Sequence, residues 1–144
     1  MAYQAKRKKI FKEEFQLVDE NGNVEKTIFV ELDPSVVAEK LSKKYLALQN
    51  ALEAIKEAEE KKEHQYSTLA MAMKDVLEAV FGENDTKTIV KFYEERYLEM
   101  AREVLPFIKD VVVPQVRKMA QEERKNIAAG YNRKQRRLFG KKRG

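Results

Sequence analysis

The sequence has no cysteine among its 144 residues. This absence excludes disulfides, thiolate nucleophiles and metal sites built on cysteine, and it agrees with a reducing cytosol. Five glycines and three prolines are few for this length, which favours long regular elements over a loop-rich fold. The longest apolar run is too short and too broken for a membrane-spanning helix, which needs about 20 apolar residues.

The N-terminal charged segment is not followed by an apolar run, so it does not resemble a secretory signal. The charged fraction of 37% and the mean hydropathy of −0.65 exclude an integral membrane protein. We therefore expect a cytoplasmic protein.

Residues that support catalysis are equally scarce. The single histidine, His64, lies among glutamate and lysine, which predicts a solvated helix surface rather than a metal ligand. Adjacent glutamates on a helix point about 100° apart and do not converge on one substrate atom. The sequence contains no Walker loop, no dinucleotide glycine pattern and no Gly-x-Ser-x-Gly elbow. We predict that the protein is not an enzyme and needs no metal or cofactor.

The charge is unevenly distributed along the chain. The 29 basic and 24 acidic residues give a net charge of +5. Residues 1–9 contain four basic residues and residues 131–144 contain seven, without an acidic residue in either segment. The chain between them has 18 basic and 24 acidic residues, a net charge of −6. The sequence predicts a basic arm at 1–9, a single domain at 10–130 and a basic tail at 131–144, with residues 1–9 and roughly 133–144 mobile.

The first part of the domain has the pattern of a β-hairpin. Between its two strands, Asn21-Gly22 favours a turn because both residue types tolerate positive φ. Apolar residues alternate with polar ones on each strand. These are Phe11, Phe15 and Leu17 on the first strand, and Ile28, Val30 and Leu32 on the second.

Helical patterns follow the hairpin. Asp33 is the expected N-cap of the first helix and Pro34 its first residue, with an apolar stripe running to Ile55. The second helix is predicted at 66–81 and closed by Gly82.

A third helix is predicted at 86–105, capped by Asp85 or Thr86 and ended by Pro106. A fourth runs from near Pro106 to about Gly130. The predicted fold class is mainly α (α+β), with about four helices and an N-terminal β-hairpin.

The apolar residues around Pro106 cover more than one face of a helix, because Val111-Val112-Val113 is an unbroken run. Such a surface is either core or a contact with another subunit or a client protein. We predict that it contributes an interface, and we expect a homo-oligomer. The candidate interface residues are Tyr97, Leu98, Phe107, Val112 and Val113.

The tail suggests a second kind of site. Seven basic residues lie near Tyr131, Leu138 and Phe139, so the tail could neutralise phosphates and stack on bases. It could equally pair with acidic protein or improve solubility. The candidates for nucleic-acid or acidic-partner binding are Arg133, Lys134, Arg136, Arg137, Lys141, Lys142 and Arg143.

The pattern at 81–114, behind a hairpin and an amphipathic helix, resembles small proteins from long-tailed bacteriophages and prophages of Gram-positive hosts. The matching cues are Phe81-Gly82, Phe92-Tyr93-Glu94, Tyr97, Leu105-Pro106-Phe107, Pro114 and the basic ending at 132–137. The resemblance spans about residues 10–137.

This resemblance implies a non-enzymatic tail assembly chaperone in the host cytoplasm. Such a protein would bind the tape-measure protein and promote assembly of the tail-tube subunits around it. Two alternatives stay open. One is a structural tail or neck component of a phage, and the other is a helical nucleic-acid-binding module with a basic tail.

Overall fold

The computed structural model describes residues 2–57 and 63–140, with side chains for 2–57 and 65–129. Two strands, β1 and β2, precede a first helix, a second helix and a long third helix. The third helix has two α-helical parts joined by a π-helical turn. The bounds are Phe11–Val18 for β1, Val24–Leu32 for β2, Pro34–Glu57 for the first helix, Glu63–Phe92 for the second, and Tyr97–Phe107, Ile108–Val112 and Val113–Gly140 for the parts of the third.

The mainly helical class and the N-terminal hairpin are confirmed, but the number of helices is wrong. In the described part of the chain there are three helices rather than four, because the backbone stays helical through Pro106. The predicted end near Gly130 is also wrong, since the third helix continues to Gly140.

The hairpin forms as the alternation predicts. β1 and β2 pair antiparallel from Phe11 opposite Leu32 to Val18 opposite Val24, with a bulge at Leu17 and Val18. The predicted inward residues are buried or half-buried and pack against the helices. An isolated two-stranded hairpin is only marginally stable in water, so this packing holds it in place.

The turn of the hairpin is longer than an Asn-Gly turn. Asp19 Oδ1 accepts hydrogen bonds of 2.9 Å from the backbone N–H groups of Asn21 and Asn23. These bonds, chiefly the one from Asn23, lower the pKa of Asp19. Among the turn residues only Gly22 has positive φ, at 85°. Asp19 therefore organises a five-residue turn with its side chain.

The predicted start of the first helix is confirmed. Asp33 Oδ1 accepts hydrogen bonds from the Ser35 backbone N–H at 3.1 Å and the Ser35 hydroxyl at 2.8 Å. The Asp33 carbonyl accepts from the N–H groups of Val36 and Val37. Pro34 is the first helical residue, where its missing N–H costs nothing.

The second helix is interrupted at Gly82, whose φ of 81° and ψ of 170° are not helical. A residue with a side chain adopts positive φ only at a cost, so glycine suits this position. Thr86 does not cap the helix after the break, because its hydroxyl has no hydrogen-bond partner although the residue is only 3% exposed. A helical threonine often bonds the carbonyl four residues earlier, and here that residue is the distorted Gly82.

Replacing Thr86 with valine is expected to raise the free energy of unfolding by about 1–2 kcal/mol. The substitution keeps the shape of the side chain and removes a buried hydroxyl that lost its water without gaining a partner. The control is Thr88→Val, because the exposed Thr88 hydroxyl bonds the Asn84 carbonyl at 3.2 Å and its loss should not stabilise. Urea denaturation measures the stability of both variants. Destabilisation by Thr86→Val would contradict the conclusion that the Thr86 hydroxyl has no hydrogen-bond partner.

The predicted continuous helix at 86–105 is wrong, because the second helix ends at Phe92 and the third begins at Tyr97. The Glu95 N–H donates to the Val90 carbonyl and the Glu94 N–H to the Lys91 carbonyl, which is the hydrogen-bond pattern of a Schellman motif. Glu94 and Glu95 have φ of 52° and 62°, a region that costs an L-residue roughly 1–2 kcal/mol. Glutamate is not a residue type that indicates a left-handed helix end, so the sequence does not show that the second helix ends here.

Replacing Glu94 with glycine is expected to stabilise the protein by about 1 kcal/mol, because it relieves the left-handed conformation at the helix end. The matched control is Glu78→Gly in the exposed interior of the same helix, which should cost about 1 kcal/mol. Thermal denaturation of both variants checks the pair. A loss of stability in Glu94→Gly equal to that in Glu78→Gly would mean that the helix does not end here.

Candidate protein-binding surfaces

The third helix changes its hydrogen-bonding pattern between its two prolines. Pro106 and Pro114 have no backbone N–H, so the α-helical ladder lacks a donor at both positions. The Val113 N–H donates to the Ile108 carbonyl five residues earlier, which closes a π-helical turn. This wider turn contains one residue more than a regular α-helical turn.

The extra residue explains the burial of adjacent valines in the apolar run, which was predicted to contribute an interface. Val112 is 0% exposed and Val113 is also buried, whereas Val111 is 38% exposed. A π-helical turn brings two adjacent valines into the core, which regular α-helical spacing does not predict. The assignment of Val112 and Val113 to an intersubunit or client contact is therefore wrong, and both are core residues of one chain.

Phe107 packs against the core. Its ring centroid lies 5.0 Å from that of Phe15 and 6.1 Å from that of Phe81, and Phe15 and Phe81 are 5.1 Å apart. The three rings join the hairpin to the second and third helices. Phe107 is half-buried within this cluster, so the structure does not present it as a free contact surface.

Tyr97 and Leu98, the other two predicted interface residues, reach the surface. Leu98 is 40% exposed, and Tyr97 is half-buried with Lys74 Nζ 5.8 Å from its ring centroid. They line a shallow groove of about 580 Å³ between the second and third helices, which we call the Leu98 groove. The other residues that line it are Tyr66, Ser67, Ala70, Glu95, Arg96 and Glu99.

A second groove, of about 1120 Å³, lies between the N-terminal arm and the π turn. We call it the basic groove, because four of its six charged residues are basic. Its apolar lining comes from Ile10, Phe11, Val111, Pro114 and Met119. Its charged lining comes from Arg7, Lys8, Lys9, Lys12, Glu13 and Asp110.

Lys8 ties the arm to two helices. Its Nζ lies 2.7 Å from Asp33 Oδ1, at the N-cap of the first helix, and 2.9 Å from Glu123 Oε1 on the third helix. The hydrogen bond from Lys8 is the largest cause of a lowered Asp33 pKa, and the bond to Asp33 is the largest cause of a raised Lys8 pKa. The arm was predicted to be mobile, and this contact gives it a fixed point.

Replacing Lys8 with methionine is expected to raise the pKa of Asp33 towards its ordinary value of 3.8. The pKa of Asp33 is lower in the folded state than in the unfolded state, so the ion pair contributes its full stability to the fold above pH 3.8. This contribution is lost as the pH falls through the lowered pKa of the folded state. An NMR titration of the Asp33 carboxyl carbon measures the change, with Lys12→Met as control. Identical Asp33 titrations in both variants and the wild type would contradict the contact.

The predicted basic tail is only partly described. The positions Arg133, Lys134, Arg136 and Arg137 lie in the last helical turns of the third helix, where the backbone alone is described. The positions Lys141, Lys142 and Arg143 lie outside the described residues, and the side chain of His64 does as well.

Comparisons of this chain with protein families, with curated proteins and with solved structures find no match. Within residues 2–57 and 63–140, no helix has the length and apolar character needed to cross a membrane. The same part of the chain has no group of three or more histidine, aspartate or glutamate residues arranged to hold a metal ion.

Sequence reasoning missed the basic groove and its apolar lining. The positions of Val111 and Met119 depend on the π turn, which shifts the helical faces after Phe107. The two prolines eight residues apart were the available sign of a distorted helix. The basic residues of the groove were predicted only as part of an N-terminal arm, because nothing in the sequence shows that Lys8 contacts the third helix.

Proposed function

We propose that this protein is a non-enzymatic tail assembly chaperone of a long-tailed phage, which binds an apolar segment of the tape-measure protein. The observation that carries the proposal is the Leu98 groove, whose exposed surface is mainly apolar. Tyr97 and Leu98 lie in the stretch that resembles phage proteins; Leu98 is exposed, and Tyr97 is half-buried in the lining of the groove. The host cytoplasm is the compartment that this function implies.

The shape and chemistry of the groove suit a helical client. Tyr66 and Tyr97 provide large, partly buried rings, and the small Ala70 lines the groove with them. Aromatic side chains with small neighbours favour the apolar side chains of an amphipathic helix, which dock at spacings of three and four residues. Glu95, Arg96 and Glu99 at the rim offer charges that can fix the register of such a helix.

Co-expression with the tape-measure protein of the same phage or prophage tests the proposal. The wild type is expected to co-purify with it, and Leu98→Asp should abolish the complex while circular dichroism shows a folded protein. Leu46→Asp is the matched control, because Leu46 is an exposed leucine on the first helix that does not line the Leu98 groove. Failure of the wild type to bind would reject the function. Binding by Leu98→Asp would reject the groove.

A nucleic-acid-binding module is the alternative function, and the observation that favours it is the helical backbone through the basic positions up to Gly140. DNA affinity that falls steeply with salt concentration would support this alternative, because phosphate contacts release counterions. Two results together would favour nucleic-acid binding over the chaperone function. The DNA affinity would be lost after removal of residues 131–144, and the full chain would not bind the tape-measure protein.

A further inference from the structure

The two ends of the hairpin carry opposite charge. Beside the hairpin turn lies a groove of about 960 Å³, which we call the acidic groove because six of its nine charged residues are acidic. Its acidic residues are Asp19, Glu20, Glu25, Glu94, Glu99 and Glu103, and its basic residues are Lys26, Lys91 and Arg96. The basic groove, at the start of β1, has the opposite balance.

These grooves are separate places on the molecule. The basic groove contacts β1 at Phe11 and Lys12, and the acidic groove contacts it at Leu17 and Val18. At about 3.3 Å per residue along a strand, the two contacts are about 20 Å apart. Along the third helix, Glu103 and Pro114 are separated by about 16 Å at 1.5 Å per residue. One patch therefore does not neutralise the other within a chain.

Several charges in the two grooves have no partner within the chain. Among the residues that the structure describes, Arg7, Lys9 and Lys12 form no ion pair, although Lys8 beside them forms two. In the acidic groove, Glu20 and Glu25 likewise form no ion pair with described residues. Glu13 and Asp110 in the basic groove, and Lys26 and Lys91 in the acidic groove, also form no ion pair with described residues, so each groove presents unpaired charge in which one sign is in excess.

Each groove also presents apolar surface beside its charges. Val111 and Pro114 are exposed in the basic groove, and Val18 is exposed in the acidic groove next to the half-buried Tyr93. Burial of apolar surface provides most of the free energy of association, while complementary charge selects the partner and the register. Both contributions are available when the two grooves meet.

We propose that copies of this chain associate head to tail, with the basic groove of one copy against the acidic groove of the next. The contact is heterologous, because two different patches meet, and such contacts form rings or open filaments. The proposal concerns the protein without a client, so it does not depend on the proposed chaperone function.

Sedimentation velocity of the full chain at low ionic strength tests this association. The wild type is expected to form species larger than a dimer that dissociate as salt is added, because exposed charges are screened beyond about 10 Å at 0.1 M. The pair Lys9→Glu with Lys12→Glu makes the basic groove acidic, and the pair Glu20→Lys with Glu25→Lys makes the acidic groove basic. Each double variant alone is expected to be monomeric.

Mixing the two double variants is the decisive step. Each then offers the groove that the other lacks, so the mixture should regain the large species in an alternating arrangement. A control with reversed charges outside both grooves, Lys40→Glu with Lys56→Glu, should assemble like the wild type. A monomeric wild type at low salt, or a mixture that stays monomeric, would overturn the proposal. Assembly of the wild type into closed dimers would also overturn it.

Discussion

Replacing Val112 with aspartate is expected to unfold the protein, with a loss of about 4 kcal/mol or more in the free energy of unfolding. Val112 is fully buried in the π turn, and a carboxylate there would lose its water without a partner. Small domains have a total stability of about 5–15 kcal/mol, so this loss removes a large part of it. Circular dichroism during urea denaturation measures the change.

Val111→Asp is the matched control, since it makes the same substitution one residue earlier at an exposed position. It should change the stability by less than about 1 kcal/mol, as surface substitutions usually do. If Val112→Asp instead stayed as helical and stable as the wild type while an assembly dissociated, Val112 would be an interface residue, as the sequence had suggested.

Replacing Phe81 with alanine is expected to cost about 3–5 kcal/mol, the usual loss for a phenylalanine in a core. Phe81 is buried and contacts both Phe15 and Phe107, so its removal leaves a cavity where the hairpin meets two helices. Phe29→Ala provides the comparison, because Phe29 is 70% exposed on the outer face of β2. That variant should lose less than about 1 kcal/mol.

A double-mutant cycle between Phe81 and Phe107 isolates their ring contact. We expect a coupling energy of about 0.5–1.5 kcal/mol, which is typical of aromatic pairs. Equal losses in Phe81→Ala and Phe29→Ala would contradict the aromatic cluster, and so would a coupling energy of zero.

The parts of the fold that were predictable from the sequence are those in which local pattern and burial agree. The alternation in the hairpin and the Asp33-Pro34 helix start both reappear in the structure. In the second helix the apolar residues at helical spacing, Leu69, Met73, Val76, Leu77 and Val80, are all buried. These features depend on residues close in sequence, so periodicity and capping chemistry are enough to find them.

The errors come from places where the backbone departs from the usual preferences of its residues. Proline was taken as the end of a helix, yet the third helix tolerates Pro106 by changing to a π turn two residues later. Glutamate was taken as a helix former, yet Glu94 and Glu95 adopt left-handed conformations that end the second helix. Residue type alone reveals neither case.

The candidate interface shows the same division. The interface role of Tyr97 and Leu98 stays a prediction, and the structure places Leu98 at the surface and Tyr97 half-buried near the start of the third helix, where regular helical spacing holds. Val112 and Val113 were misplaced because they follow the point where the spacing changes. The charged grooves were not predictable at all, since they join residues of the arm or the hairpin turn to distant parts of the third helix.

The most direct test of the proposed client binding is amide hydrogen exchange of the full chain, alone and in complex with the tape-measure protein. We expect the complex to slow exchange in the segments 66–70 and 95–99, which contain the residues that line the Leu98 groove. The exposed turn at 19–23 should exchange equally in both samples when they are compared at a salt concentration that prevents self-association. Protection confined to other segments, or no protection at all, would contradict the account of this groove as the client site.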